Sequence, residues 1–175
     1  SGKKVSRLCF GGLTVGPLQR NLSLEAGSAI LSYAIEKGIN FVDTAQYYKT
    51  YPYIREAMRR TGSYDLVIAT KTYAYDRKGA MEAFEEARQE LDRDYIDLFL
   101  LHEQESEWTM RGHREAYEFF LEQKALGNIG GVGLSTHHIA GVIAGANNPD
   151  VDVCFPMYNY EGVGICDGGI AEMKE

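Results

Sequence analysis

Short apolar runs alternate along this chain with longer segments of helical period, and that alternation predicts a parallel α/β fold. The candidate strands are Arg7-Leu8-Cys9-Phe10, Asn40–Val42, Asp65–Thr70, Tyr95–Leu101, Gly131–Ser135 and Val151–Phe155. Ser23 offers an N-cap for a helix that runs to Lys37 and stops at Gly38, with Ala26, Ile30, Ala34 and Ile35 on one face. A short helix follows over Tyr53–Arg60, ended by Gly62. Lys78–Leu91 repeats Ala80, Phe84, Ala87 and Leu91 at helical spacing, and Arg111–Leu126 does so with Ala116, Phe119 and Phe120 inward. Ile139–Ala146 is a further helix, and Ile170–Lys174 begins another. Strand and helix recur every roughly 25–30 residues, the rhythm of strands joined by crossover helices. No linker interrupts it, so residues 1–175 read as one domain.

Composition narrows the picture without naming a chemistry. At 175 residues, with 45% hydrophobic and 25% charged positions, the chain suits one soluble domain with a real core. A net charge of −7 with no basic run argues against nucleic acid or an anionic membrane as partner. No apolar run approaches the ~20 residues of a membrane span. The three cysteines, Cys9, Cys154 and Cys166, are odd in number and widely spaced, which speaks for a reducing, cytoplasmic setting and against a disulfide framework or a zinc site.

Candidate chemistry gathers at the strand ends, where parallel α/β proteins bind ligands. The stretch Gly38-Ile39-Asn40-Phe41-Val42-Asp43-Thr44-Ala45-Gln46-Tyr47-Tyr48 reads as a helix stop, a buried strand and a polar turn. Asp43, Lys71 and His102 stand at or just beyond three successive candidate strands, and Tyr48 lies on the turn after the second. Together they suit carbonyl reduction. A lysine cation would lower the phenol's ordinary pKa of about 10, an aspartate would hold the lysine, and a histidine would orient the carbonyl oxygen. Each also has a plainer role: Asp43 capping a turn, Lys71 solvated, His102 a half-buried structural histidine, Tyr48 one tyrosine among twelve. A metal-dependent hydrolase using His102 and Asp43 needs more strand-end histidines than this chain supplies. Trp108 and Tyr73 are candidates for a substrate mouth, with surface or core positions as the alternative.

With these residues in place the chain resembles the aldo-keto reductase superfamily. The resemblance rests on Gly38–Ala45 with Tyr48, on Ile68-Ala69-Thr70-Lys71, on Tyr95-Ile96-Asp97-Leu98 leading to Leu101-His102, and on Gly131-Val132-Gly133-Leu134-Ser135. Val5–Leu13 is similar to the family's first barrel strand. The resemblance implies a (β/α)8 TIM-type barrel, here incomplete, with about six parallel strands and helices outside. It implies an NAD(P)H-dependent oxidoreductase that reduces an aldehyde or ketone, with Tyr48 as general acid supported by Asp43 and Lys71, and His102 orienting the substrate. It also implies NADP(H) or NAD(H) as cofactor, bound without a Rossmann fingerprint by Gly12, Asp43, Ser135 and Thr136. Thr136 stands where many members have asparagine, and the glutamine often used against the carboxamide is absent around Phe155–Asn159. The closest likeness is to bacterial members that often carry an iron–sulfur domain after the barrel, although no cluster motif is present.

A complete barrel of this type takes about 250 residues, so the chain is expected to lack the family's last two units. Three explanations follow: a fragment of a longer chain, which is the favoured one, a truncated product, or a homo-oligomer whose copies cover each other's open side. The rival function is a non-catalytic regulatory protein on the same scaffold.

Overall fold

A computed structural model of the chain describes residues 2–174. Six strands, β1 (Phe10–Gly11), β2 (Phe41–Asp43), β3 (Val67–Thr72), β4 (Ile96–Leu101), β5 (Ile129–Thr136) and β6 (Val153–Pro156), form one sheet in sequence order, and every neighbouring pair is parallel. The helices are α1 (Leu24–Glu36), α2 (Tyr51–Thr61), α3 (Arg77–Leu91), α4 (Glu107–Gly112), α5 (Arg114–Ala125), α6 (Ile139–Ala146) and α7 (Ile170–Met173), with 3₁₀ turns at Gly12–Val15 and Gln46–Tyr48. The sheet curls strongly. Phe41 on β2 and Phe155 on β6 meet edge-on with ring centroids 6.2 Å apart, although three strands separate them in the sheet. Contact across the concave face means that six strands have closed most of a barrel, while β1 and β6 each pair on one side only. No helix among the described residues is long and apolar enough to cross a membrane.

Alternation along the strands sorts the two faces. Val42, Ile68, Phe99, Val132 and Leu134 pack under the helices in one cluster with Tyr51, Ile54, Phe84 and Phe120. Phe99 joins Phe84 at 6.0 Å and Phe120 at 4.5 Å between centroids, so α3, α5 and β4 share a single aromatic seam. Asp97, in the Tyr95–Leu98 motif, turns out to be an anchor. It is buried, accepts the Ile68 amide at 3.0 Å, and pairs with Lys3 at 2.5 Å and Arg93 at 3.3 Å, fastening the N-terminal segment beneath the sheet.

Three expectations are corrected. On α1 the buried face is Gly27, Ser28, Leu31 and Ser32, whereas Ala26 and Ile30 are exposed. The reason is close approach by α2: a Cβ on Gly27 would lie 2.4 Å from the Tyr53 ring, so small residues, not large apolar ones, face the neighbour. The helix expected over Arg111–Leu126 is two helices broken at His113, whose Nδ1 donates to Thr109 O at 2.7 Å just after helix-weakening Gly112. The strand expected over Asp65–Thr70 runs instead from Val67 to Thr72, so Lys71, expected at its C-terminal end, is its penultimate residue.

Gly133 has a steric reason to be glycine. A Cβ there would fall 1.8 Å from the Val153 carbonyl oxygen, inside the β5–β6 ladder. Gly133→Ala is therefore expected to destabilise the fold by about 3 kcal/mol or more, read as a lowered urea midpoint. Gly131→Ala, whose new methyl is crowded by the flexible Leu98 Cδ2 at 3.0 Å and makes ordinary contact with Asp152 at 3.6 Å, should be milder. Equal midpoints for the two variants would refute the steric account.

Candidate active site

The polar residues on the concave rim are delivered by three adjacent strands. Register places Asp43 opposite Ala69, and Thr72 opposite Leu101, so the ends of β2, β3 and β4 lie side by side. The Thr44 amide donates to Ala69 O at 2.8 Å and the His102 amide to Thr72 O at 2.9 Å, extending the ladder one step to hold the residues that follow each strand. Tyr48 arrives on the 3₁₀ turn Gln46–Tyr48, followed by Lys49 in the left-handed region at φ 56°.

The four side chains meet. Lys71 Nζ donates to Asp43 Oδ1 at 2.5 Å and to Thr44 O at 2.8 Å, and lies 5.2 Å from the centroid of the Tyr48 ring. Tyr48 Oη and His102 Nε2 are 3.3 Å apart, their rings edge to face. Tyr73 stacks on the other side of His102, with centroids 4.4 Å apart, and its hydroxyl donates to Glu103 Oε2 at 2.6 Å. Tyr47 meets the Tyr73 edge at 6.3 Å, so aromatic rings border the opening.

Burial dominates the electrostatics. It drives the Asp43 carboxyl up and the Lys71 ammonium down, each toward its neutral form, and their mutual attraction opposes both shifts. Tyr48 is pushed up to about 12 by burial first, then by the nearby Asp43 and Glu103 carboxylates. This departs from the expectation that Lys71 would lower it: the ammonium sits over the ring, bound to Asp43 and Thr44, and not against the hydroxyl. A neutral phenol is nonetheless the form that a proton donor needs.

Burial and then the Lys71 charge bring His102 down to about 4, so its imidazole is neutral at pH 7, and its buried Nδ1 has no partner among the described residues. The sign for stability follows. Between pH 6.5 and about 4 the unfolded chain binds a proton that the folded chain refuses. Folding stability is therefore expected to fall as pH drops through that window, by as much as ~3 kcal/mol. Urea titrations at pH 7 and 4.5 read this, and His102→Asn should lose that part of the difference.

The remaining expected residues are placed as follows. Buried Gly12 lies against the site: a Cβ there would come within 3.2 Å of both Asp43 O and Thr50 Oγ1. Ser135, at the end of β5, accepts the Glu103 amide at 3.0 Å and keeps its own hydroxyl hydrogen to donate. Thr136 is turned to the opposite face, as strand alternation requires. Its hydroxyl is tied to the His138 backbone and packed where a Cβ on Gly141 of α6 would meet it at 2.3 Å. Trp108, considered for the mouth, lines a groove of about 840 Å³ outside the barrel between α4–α5 and α6, which includes none of the four converging residues. Gln46 and Glu86 are at the site without having been singled out in the sequence.

The aldo/keto reductase family model matches residues 7–160. The chain belongs to the aldo/keto reductase family. Morphine 6-dehydrogenase of Pseudomonas putida is 37% identical over 91 residues, covering 49% of this chain and 30% of that protein. Protein tas of Escherichia coli is 31% identical over 127 residues, covering 58% of this chain and 36% of that protein. The chain thus spans about a third of the length of these family relatives. Among solved structures, Bombyx mori aldo-keto reductase in complex with NADP superposes with a TM-score of 0.73 at 18% identity, covering 90% of this chain and 56% of that one. At that identity the likeness speaks for the barrel fold alone.

Proposed function

We propose that this chain carries the catalytic residues of a nicotinamide-dependent oxidoreductase that reduces an aldehyde or ketone to an alcohol, with Tyr48 as general acid. The observation that carries this reading is the meeting of Tyr48, His102, Lys71 and Asp43 on one rim, with the phenol and imidazole 3.3 Å apart and both neutral at pH 7. NADP(H) or NAD(H) supplies the hydride when bound. The residues present suit its nicotinamide end: Ser135 has a hydrogen free for a carboxamide oxygen, and Gly12 lies against Asp43 without a side chain of its own. Thr136 is not part of this set, because its hydroxyl is already bound.

The chain's own groups then divide the work. His102 Nε2–H donates to the substrate carbonyl oxygen and sets its direction. Tyr48 gives its hydroxyl proton to that oxygen as it becomes an alcohol. Lys71, fixed by Asp43 and Thr44 O, places positive charge beneath the Tyr48 ring, where it stabilises the phenolate left behind. Tyr47 and Tyr73 border the entry and favour an apolar or aromatic carbonyl.

The test is a fluorescence titration of the protein with NADPH and with NADH, followed by single-turnover reduction of benzaldehyde and acetophenone. Micromolar binding and consumption of reduced nicotinamide are expected. Absence of binding up to millimolar concentration would overturn the reading in favour of a non-catalytic role on this scaffold.

A further inference from the structure

The turn that carries Tyr48 is too short to hold itself. Gln46–Tyr48 is a single 3₁₀ turn whose own backbone bonds are Tyr48 N–H to Ala45 O at 3.0 Å and Lys49 N–H to Gln46 O at 3.4 Å. A turn of this kind has poor hydrogen-bond geometry and little cooperativity. Something else must set the angle at which the phenol faces His102.

Three side chains do so. Gln46 Oε1 accepts the Thr72 hydroxyl at 2.6 Å, and Gln46 Nε2 donates to Glu86 Oε2 at 2.6 Å. The other oxygen of Glu86 accepts Lys49 Nζ at 2.8 Å. One α3 carboxylate therefore grips the first residue of the turn and the residue just after it, and β3 grips the first residue from the other side. Behind them the buried Thr44 and Thr50 hydroxyls share a hydrogen bond at 2.6 Å that closes the base of the loop.

β3 supports Tyr48 twice. Lys71 points into the barrel under the ring, while Thr72, on the opposite face of the same strand, holds the turn through Gln46. The two Gln46 grips are worth more than an exposed contact because Thr72 is buried and Glu86 half-buried, whereas the Lys49–Glu86 pair is exposed and adds little.

We propose that Gln46 and Glu86 are positioning residues that, with Thr72, form a strut holding the Tyr48 phenol against His102. This rests on the reductase reading only for its kinetic consequence; the strut itself is a statement about the turn. Gln46 contributes an acceptor to Thr72 and a donor to Glu86, so the arrangement has a matching exchange. In Gln46→Glu, two carboxylates face each other and the turn loses its hold. In the double variant Gln46→Glu/Glu86→Gln, the new carboxylate accepts from Thr72 and from the new amide, and the chain of bonds is restored.

The experiment is amide hydrogen exchange over residues 44–50 in the wild type, Gln46→Met, Gln46→Glu and the double variant, with amides of β3 and β4 reporting global opening. In both single variants, exchange of the Tyr48 and Lys49 amides is expected to rise at least about tenfold while β3 and β4 stay unchanged, and the double variant should return to within about twofold of wild type. Unchanged exchange in the single variants, or no recovery in the exchanged pair, overturns the proposal. If Gln46→Met does not fold, the comparison of Gln46→Glu with the double variant decides alone.

In protein that turns over, Gln46→Met should lower kcat by about tenfold or more with the KM for cofactor unchanged, as expected when a reacting group is misplaced and not removed. A wild-type protein that reduces no carbonyl would overturn the reductase reading and leave the exchange result to decide the strut.

Discussion

Replacing Tyr48 by phenylalanine is expected to reduce turnover by about 10²–10⁴-fold while leaving cofactor affinity unchanged. The substitution removes one oxygen and keeps the ring. The Lys71 ammonium, 5.2 Å from the ring centroid, retains its aromatic neighbour, and the Lys71–Asp43 bond at 2.5 Å does not involve the phenol. Among the described residues the only side-chain partner of the hydroxyl is His102 at 3.3 Å, a long contact whose loss should change stability little. The loss should therefore fall on kcat, measured in single turnover beside an NADPH titration. The pH profile adds a second check: with the phenol raised to about 12, the acid should stay protonated through the neutral range, and wild-type kcat should fall only as the pH approaches that value. A Tyr48→Phe protein with wild-type turnover would remove Tyr48 from the reaction.

Replacing Lys71 by methionine is expected to be the most damaging single change at the site for stability. Lys71 is buried, and it holds Asp43, whose side chain is only 23% exposed. Removing the cation leaves an unpaired carboxylate in a largely buried site, for which a loss of about 3 kcal/mol is expected, the low end for a broken buried pair because Asp43 keeps some exposure. The sign with pH can be worked out. Burial already raises the Asp43 carboxyl, and without Lys71 nothing opposes that shift. A group whose folded pKa is raised is stabilising below its unfolded value and loses that contribution as pH rises. The deficit of Lys71→Met relative to wild type at the same pH should then be largest near pH 7 and smaller near pH 4. The double variant Asp43→Asn/Lys71→Met, which buries no unpaired charge, should be more stable than Lys71→Met at pH 7. A double variant no better than the single one would mean that Lys71 acts through packing and not through charge.

Asp43, Lys71 and His102 could be picked out from the chain because each follows an apolar run whose period marks a strand, and parallel strands bring their ends to one rim. Tyr48 could be added because it stands five positions beyond Asp43 on a polar turn. The direction of its pKa shift could not, since that depends on whether the ammonium approaches the oxygen or the ring face. Only folded geometry distinguishes those two arrangements.

The same divide runs through the rest of the molecule. Hydrophobic periodicity by itself pointed to six strands alternating with helices and to the inward positions of α3 and α5, because burial of an apolar stripe is a local property of spacing, whereas the sequential order of the strands is seen only in the folded sheet. It misjudged α1, where Gly27 and Ser28 face α2, because which side approaches a neighbour closely depends on Tyr53, a residue of another helix. It placed Ser135 and Thr136 together, whereas the pleat sends one to the rim and the other under α6. And it passed over Gln46 and Glu86, separated by 40 positions and joined by a single 2.6 Å bond. Spacing along a chain decides which elements form and which face is apolar; tertiary structure decides which polar atoms meet, because a hydrogen bond depends on distances of a few tenths of an ångström between residues far apart in sequence.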